Sequence, residues 1–342
     1  MINPAVRNDQ MQKYLIDMLT CLVCHGELNW RITQQTNERV EDAEARCKSC
    51  SRSYPIREGI GIFLIDEIQR NDLWEQVDSG LMKHLRSHPE LSKQLMTAPL
   101  ETISPADQFF RGMLLEELGK FAEARQAHNT AMRGLYTSDY LDCFQSQVDY
   151  VINELASGED PIVDLASGRC YLVEQLASKL NRPIVATDFS IRVLRQDRKR
   201  LEFEGLYNQV SLLAFDARHT PFKDNAIKTL TTNLGLPNIE DPGPLLKELR
   251  RVVRGSFFAI SHFFPEDDQR NEEEIHKLKL ETFLYRRTAL EQFSSAKWQI
   301  EMRNVCTGRA LPTPPSVIMD GLRNDALPVS ETVLEWCTLV AN

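Results

Sequence analysis

Four cysteines fall in two C-x-x-C pairs, Cys21 with Cys24 in CLVC and Cys47 with Cys50 in CKSC. A two-residue spacer lets both thiolates of a pair reach one ion, and two such pairs complete a tetrahedral four-sulfur shell for Zn2+. A closed shell leaves no position for water or substrate, so the predicted metal is structural. His25 adjoins Cys24 as an alternative ligand or a solvated neighbour. Three aspartates form a different set. Asp164, Asp188 and Asp216 each close a short apolar run, in PIVD, PIVATD and VSLLAFD. A carboxylate some twenty residues beyond a first strand–helix loop suits a ribose diol, because it accepts both hydroxyl protons.

The loop itself is VDLASGRCYL, residues 163–172. Set against the spacing acid-x-G-x-G-x-G, it offers Asp164, Ala166, Gly168 and Cys170, so one glycine of three remains. A carboxylate inside that loop repels a pyrophosphate at the following helix N-terminus. It suits a ligand that carries an amine and a sulfonium. A cofactor without phosphates asks less of backbone closeness, and Ala and Cys are the next-smallest side chains after Gly. The predicted cost is a Cβ wherever φ is positive.

The elements that position these residues change along the chain. Residues 1–69 are predicted to form a small zinc-ribbon domain, 70–150 a helical connector or cap, and 151–342 an α/β domain. The connector shows apolar residues at intervals of three and four, with Ser104 as a helix cap ahead of Pro105. From residue 161 strands and helices alternate, which implies a mostly parallel, Rossmann-like sheet of seven strands. A long helix is expected between GSFFAISHFF and WQIEMRNVC. Ligands in such sheets bind beyond the carboxyl ends of the strands, where the three aspartates fall. The 342 residues carry a formal net charge of −9, which argues against a broad basic face that coats nucleic acid. No apolar run reaches membrane-spanning length and the N-terminus is polar, so a cytoplasmic protein without a membrane partner is expected. In that compartment the eight cysteines read as thiols or metal ligands rather than disulfides.

Residues 14–68, with YLIDMLTCLVCHGEL and RSYPIREGIGIFLIDE, resemble the zinc-ribbon family of methyltransferase activators. That resemblance implies a module that docks either on its own chain's catalytic domain or on a partner protein. Residues 145–342 resemble class I S-adenosylmethionine-dependent methyltransferases, through VDLASGRCYL, VATDFS and FDARHTPFKDNAIKTL. NLGLPNIEDPGPLLKELRRVV resembles the ubiquinone/menaquinone C-methyltransferase branch. The resemblance implies that S-adenosylmethionine is held by Asp164 and Gly168 at its methionine end, by Asp188 at the ribose, and by Asp216 with Ala217 at the adenine. Ala166 and Phe189 join this cofactor-binding set, and Asn233 and Leu234 lie under the reacting face. Two departures stand out: the two lost loop glycines, and RVVRGSFF without the double glycine usual before the fifth strand.

The implied function is methyl transfer to an unidentified acceptor, a small molecule ahead of RNA. Tyr171, His219 and His262 are the candidates for a base. The alternatives are an rRNA or tRNA methyltransferase, since some RNA enzymes place a zinc module and connector ahead of the catalytic domain, and an inactive scaffold that binds a protein partner. RVLRQDRKR, with Arg192, Arg195, Arg198, Lys199 and Arg200, is either a nucleic-acid contact or a solvated helix surface.

Overall fold

The computed structural model describes residues 10–36, 39–65 and 72–342. Among the described residues there are eleven strands: β1 (Leu28–Thr36), β2 (Arg39–Cys47), β3 (Ser53–Arg57), β4 (Ile60–Phe63), β5 (Ile162–Asp164), β6 (Ile184–Asp188), β7 (Val210–Phe215), β8 (Ile227–Asn233), β9 (Val253–Phe263), β10 (Ile300–Ala310) and β11 (Thr332–Ala341). Twelve helices accompany them: α1 (Gln10–Met18), α2 (Leu73–Ser87), α3 (Pro89–Thr97), α4 (Pro105–Glu117), α5 (Phe121–Leu135), α6 (Ser138–Leu155), α7 (Tyr171–Lys179), α8 (Ile191–Phe203), α9 (Pro242–Val252), α10 (Gln269–Leu278), α11 (Glu281–Leu284) and α12 (Arg286–Ser295). The seven strands expected after residue 161 are present as β5–β11. They do not form a sheet of their own, because the N-terminal strands extend it. One sheet runs in the order β1-β2-β3-β4-β7-β6-β5-β8-β9-β11-β10.

Strands β5, β6 and β7 are buried at every position, as parallel strands covered on both faces must be. The junction with the ribbon lies between β4 and β7, which pair in parallel with Ile60 opposite Leu212 and Phe63 opposite Phe215. Gly61 permits this approach, since a Cβ there would sit 2.5 Å from Leu213 Cδ2. Buried Arg39 locks the seam. Its Nη1 donates to the Tyr207 carbonyl and its Nη2 to the Val210 carbonyl, each at 2.8 Å, and its guanidinium lies 3.8 Å above the Tyr207 ring. Leu19, Tyr54 and Phe63 then share one apolar core with Val163, Val185 and Leu213.

The stretch between ribbon and β5 is helical, as its periodicity predicts. Ser104 accepts from Asp107 N at the start of α4, with Pro105 at the first helical position. Asp107, fully buried, reaches across to the loop between β10 and β11. It accepts from Val317 N at 3.1 Å, Ile318 N at 3.2 Å and the Ser316 hydroxyl. The expected long helix before β10 is instead three short ones, α10, α11 and α12. Lys279 in a left-handed conformation at φ 58° ends the first, and α11 is only four residues long.

Helix α8 carries the basic run, and its four arginines pair with carboxylates, Arg192, Arg198 and Arg200 part-buried and Arg195 exposed. Arg192 pairs with Glu117 of α4, and Arg195 with Glu58 of the β3–β4 turn. Arg198 pairs with Glu41 of β2 at 3.1 Å, and Arg200 with Asp197 at 2.7 Å and with Glu174 of α7. Neither sequence reading of this run, nucleic-acid contact or solvated face, anticipates these pairs.

Candidate functional site

The first loop keeps the backbone that three glycines would give it. Ala166, Gly168 and Cys170 sit at φ 50°, 51° and 54°, all left-handed. For alanine and cysteine that conformation costs roughly 1–2 kcal/mol each, so the surrounding structure must hold the loop in place. It does so from several sides. Ser167 N donates to the Thr187 carbonyl at 2.7 Å, and Gly168 N donates to Asp188 Oδ2 at 3.1 Å. Arg169 reaches Glu116 of α4, while Arg200 donates to the Arg169 carbonyl. Gly235 leaves room for the Ala166 methyl, which would lie 2.9 Å from any Cβ at 235.

A cleft of about 540 Å³ opens at the carboxyl ends of β5, β6 and β7. Of the eight residues expected to bind the cofactor, Ala166, Asp188, Phe189, Asp216 and Ala217 line it. Asp164, Gly168 and Asn233 do not. Asp164 is 1% exposed and accepts from Thr231 Oγ1 at 2.6 Å. Burial pushes its carboxyl up to about 7, against the hydrogen bonds of Thr231 and Ser167. It braces the loop from behind. Gly168 acts through its N–H on Asp188, and the buried Oδ1 of Asn233 has no partner.

Asp188 also accepts from Ser190 N, at 2.9 Å on Oδ1. Burial raises its carboxyl to about 6, with the Ser190 and Gly168 N–H groups pulling the other way. Asp216 differs. Burial works against its charge, but Arg218 prevails and holds the carboxyl below its ordinary value. The pair is bidentate, at 3.0 Å from Nε to Oδ1 and 2.7 Å from Nη2 to Oδ2. Arg218 lines the cleft too and also reaches Asp241. Neither Arg218 nor Thr231 stands out in the sequence: Arg218 lies just past the end of β7, and Thr231 lies within β8, opposite Asp164.

The three candidates for a base are dispersed. His219 is exposed in the turn after β7. Tyr171 opens α7 and meets Gln145 Oε1 through its hydroxyl at 3.3 Å. His262 lies near the end of β9, its ring 4.9 Å from that of Trp336, and burial lowers its pKa to about 4.

In the N-terminal segment Cys21, Cys24, Cys47 and Cys50 have all four sulfurs within 4.8 Å of one another. His25, exposed at φ 52°, is not part of the cluster. Four sulfurs at that spacing fit a tetrahedral zinc shell.

Comparison with known proteins matches residues 163–260 to the methyltransferase domain family and residues 12–59 to the Trm112p-like protein family. The chain thus matches a methyltransferase domain over part of its C-terminal half and a Trm112p-like segment near its N-terminus, and the two matches together span less than half of the 342 residues. Similar curated proteins include the demethylmenaquinone methyltransferase of Lactiplantibacillus plantarum, 30% identical over 27% of this chain and 40% of that protein. The ubiquinone/menaquinone biosynthesis C-methyltransferase of Legionella pneumophila (strain Corby) is 30% identical over 27% and 38%. The demethylmenaquinone methyltransferase of Corynebacterium kroppenstedtii is 35% identical over 30% and 42%. The chain spans about two fifths of the length of these relatives. Among solved structures, the YcgJ protein of Bacillus subtilis aligns at a TM-score of 0.46 and 14% identity, over 58% of this chain and 97% of that one. No helix among the described residues is long and apolar enough to cross a membrane.

Proposed function

We propose that this protein transfers a methyl group from S-adenosylmethionine to a small-molecule acceptor, within a unit made of a zinc ribbon (1–69), a helical connector (70–150) and a catalytic domain (151–342). The observation that carries this reading is the cleft at the ends of β5–β7, where Asp188 offers a carboxylate with hydrogen-bonding capacity to spare and the loop behind it contains Asp164 instead of a phosphate cradle. Asp188 and Phe189 would hold the ribose, and Ala217 with the backbone after Asp216 the adenine. Because Arg218 already engages the Asp216 carboxylate, its role is to shape that end of the cleft. Ala166 and Gly168 bring the loop backbone to the methionine end, with Asp164 fixing the loop through Thr231. The sulfonium supplies an activated methyl group, so the protein's task is to align the acceptor and exclude water.

A small acceptor is favoured over RNA by the fate of the basic run on α8, four of whose cations are engaged with carboxylates of the same chain. The names of the curated relatives, demethylmenaquinone methyltransferase and ubiquinone/menaquinone biosynthesis C-methyltransferase, point the same way. Zinc in the four-cysteine site would be structural, with the ribbon acting on its own catalytic domain through the β4–β7 seam, in the cytoplasm. Calorimetric titration of zinc-replete protein with S-adenosylmethionine, S-adenosylhomocysteine and NAD tests the reading. Micromolar binding of the first two, absent for NAD and lost in Asp188→Ala, supports it. A folded protein that binds none of them is a scaffold.

A further inference from the structure

Part of the lining of the 540 Å³ cleft comes from beyond residue 260, where the matched methyltransferase segment ends. Leu278, Lys279 and Leu280, at the junction of α10 and α11, border it together with Ala326 of the β10–β11 loop. Leu278 is a large apolar side chain left 37% exposed there. The junction is a defined turn. Lys279 sits at φ 58°, its N–H on the His276 carbonyl at 3.1 Å, and Leu280 N returns to the Ile275 carbonyl at 3.0 Å. Helices commonly end on glycine in this left-handed conformation, which glycine adopts without strain. A lysine there keeps the strain and adds a charge at the cleft, and strain at a ligand site is a pointer to function.

Two cations line the cleft, Arg218 and Lys279. Arg218 is already committed: it is bidentate on Asp216, and it reaches Asp241 at 2.9 Å and Glu240 at 3.6 Å. The basic neighbours of Lys279 on α10 also have carboxylates beside them, Lys277 at 2.9 Å from Glu274 and His276 at 3.6 Å from Glu272. Lys279 itself forms no ion pair and no side-chain hydrogen bond among the described residues. One ammonium without an arginine fork beside it matches a single negative charge. That is the charge of a carboxylate, whereas a phosphate asks for more donors than this end of the cleft has free. Leu278, Leu280 and Ile239 give the same cleft an apolar surface.

We propose that the methyl acceptor is a carboxylic acid with an apolar body, and that Lys279 selects it by pairing with the carboxylate. The body lies against Leu278, Leu280 and Ile239. The inference rests on the methyltransferase reading, since it gives the strand-end side of the cleft, with Asp188, Phe189 and Ala217, to the methyl donor.

The test uses full-length, zinc-replete protein and two probes of one shape, 2-naphthoate and the uncharged 2-naphthamide, titrated with and without S-adenosylhomocysteine. Wild type should bind the acid about tenfold more tightly than the amide, the effect of one hydrogen bond to a charged group. Lys279→Met keeps much of the stem without the charge and should bind both probes alike. Lys279→Gly suits φ 58° without strain, so it should withstand urea at least as well as wild type and still lose the preference. Lys279→Arg should retain most of it. All four proteins should bind S-adenosylhomocysteine alike. Equal binding of the probes by wild type, no binding of either, or a preference that survives in Lys279→Met and Lys279→Gly overturns the proposal. So does a loss of S-adenosylhomocysteine affinity in Lys279→Met, which would put the lysine on the donor's own carboxylate. Wild type that prefers the acid through Lys279 but binds no S-adenosylhomocysteine would instead overturn the methyltransferase reading.

Discussion

Binding of the methyl donor should depend on pH through Asp188, and the size of the effect follows from where that carboxylate sits. Its carboxyl is raised from 3.8 to about 6 because burial outweighs the two N–H groups it accepts. A ribose diol donates two hydroxyl protons, so it selects the ionised form. Binding therefore releases a proton from the fraction of molecules that carry one. With a pKa of about 6, roughly nine tenths of the protein is ionised at pH 7 and about one tenth at pH 5. The dissociation constant for S-adenosylhomocysteine should thus be about tenfold weaker at pH 5 than at pH 7, with most of the change below pH 6. Calorimetry at pH 6 in buffers of different ionisation enthalpy should report about half a proton released per ligand. Asp188→Asn accepts through one oxygen only and has no charge to lose. It should bind the ligand tens-fold more weakly at pH 7 and flatten the dependence around pH 6. A dissociation constant that is level between pH 5 and 7, or the same slope in Asp188→Asn, would refute the reasoning.

Two further outcomes follow from buried groups outside the cleft. Asp164 is raised from 3.8 to about 7. A carboxyl raised on folding contributes stability that is complete below its unfolded value and lost as pH climbs through its folded one. The folded state should therefore lose on the order of 4 kcal/mol between pH 4 and pH 8 at this group, and Asp164→Asn, which keeps an acceptor for Thr231, should abolish that loss. Urea denaturation of both proteins at pH 5 and pH 8 checks it, a gap that fails to widen with pH counting against the idea. At the ribbon seam, Arg39→Ala strips two buried carbonyls of their donor and removes a stacked cation. It should cost about 3 kcal/mol of stability, and a urea midpoint unchanged from wild type would mean that β4–β7 pairing alone holds the seam.

Much of this was legible because it rests on short-range rules. Each C-x-x-C spacing places two sulfurs together locally, the β1–β2 hairpin with Leu28 opposite Cys47 brings the two pairs to one point, and the apolar runs ending in Asp164, Asp188 and Asp216 mark strand ends by local pattern alone. The loop at 163–172 is the instructive intermediate. Its spacing was readable, and the structure shows Ala166 and Cys170 in the left-handed conformation that glycine would take without cost. What the spacing could not reveal is the bracing that keeps them there, since Glu116, Arg200 and Gly235 come from three distant segments. The eleven-stranded sheet was hidden for the same reason. Pairing of β4 with β7 joins residues about 150 positions apart, and neither strand's periodicity names its neighbour. Likewise His262 drew notice only as a histidine after a strand, whereas its pairing with Trp336 is a matter of register between β9 and β11.

The basic run on α8 shows how composition misleads when partners are remote. Four arginines in nine residues suggest a surface for anions, yet each finds a carboxylate supplied by another part of the chain or by α8 itself. The pairs are not equal. Arg195 with Glu58 is more than half exposed on both sides, so solvent and salt leave it little to contribute. Arg200 is another matter, lying among Asp197, Glu174 and Glu116 with its side chain 12% exposed and that of Asp197 at 1%. Removing one member there strands the others, which is the costly case for buried charge. Since Arg200 also holds the Arg169 carbonyl, and Glu116 of the connector holds the Arg169 side chain, this inner cluster couples α4 to the cofactor loop directly. Helix α8 begins three residues after Asp188. It is gripped by the connector through Arg192 and by the ribbon through Arg198. A catalytic domain cut free of the first 137 residues would leave Arg192 without Glu117, Arg198 with Glu202 as its remaining carboxylate, and the left-handed loop without part of its bracing. On this argument ribbon and connector are structural parts of the proposed cofactor site, and the strain in a loop short of two glycines is supported from outside strands β5–β7.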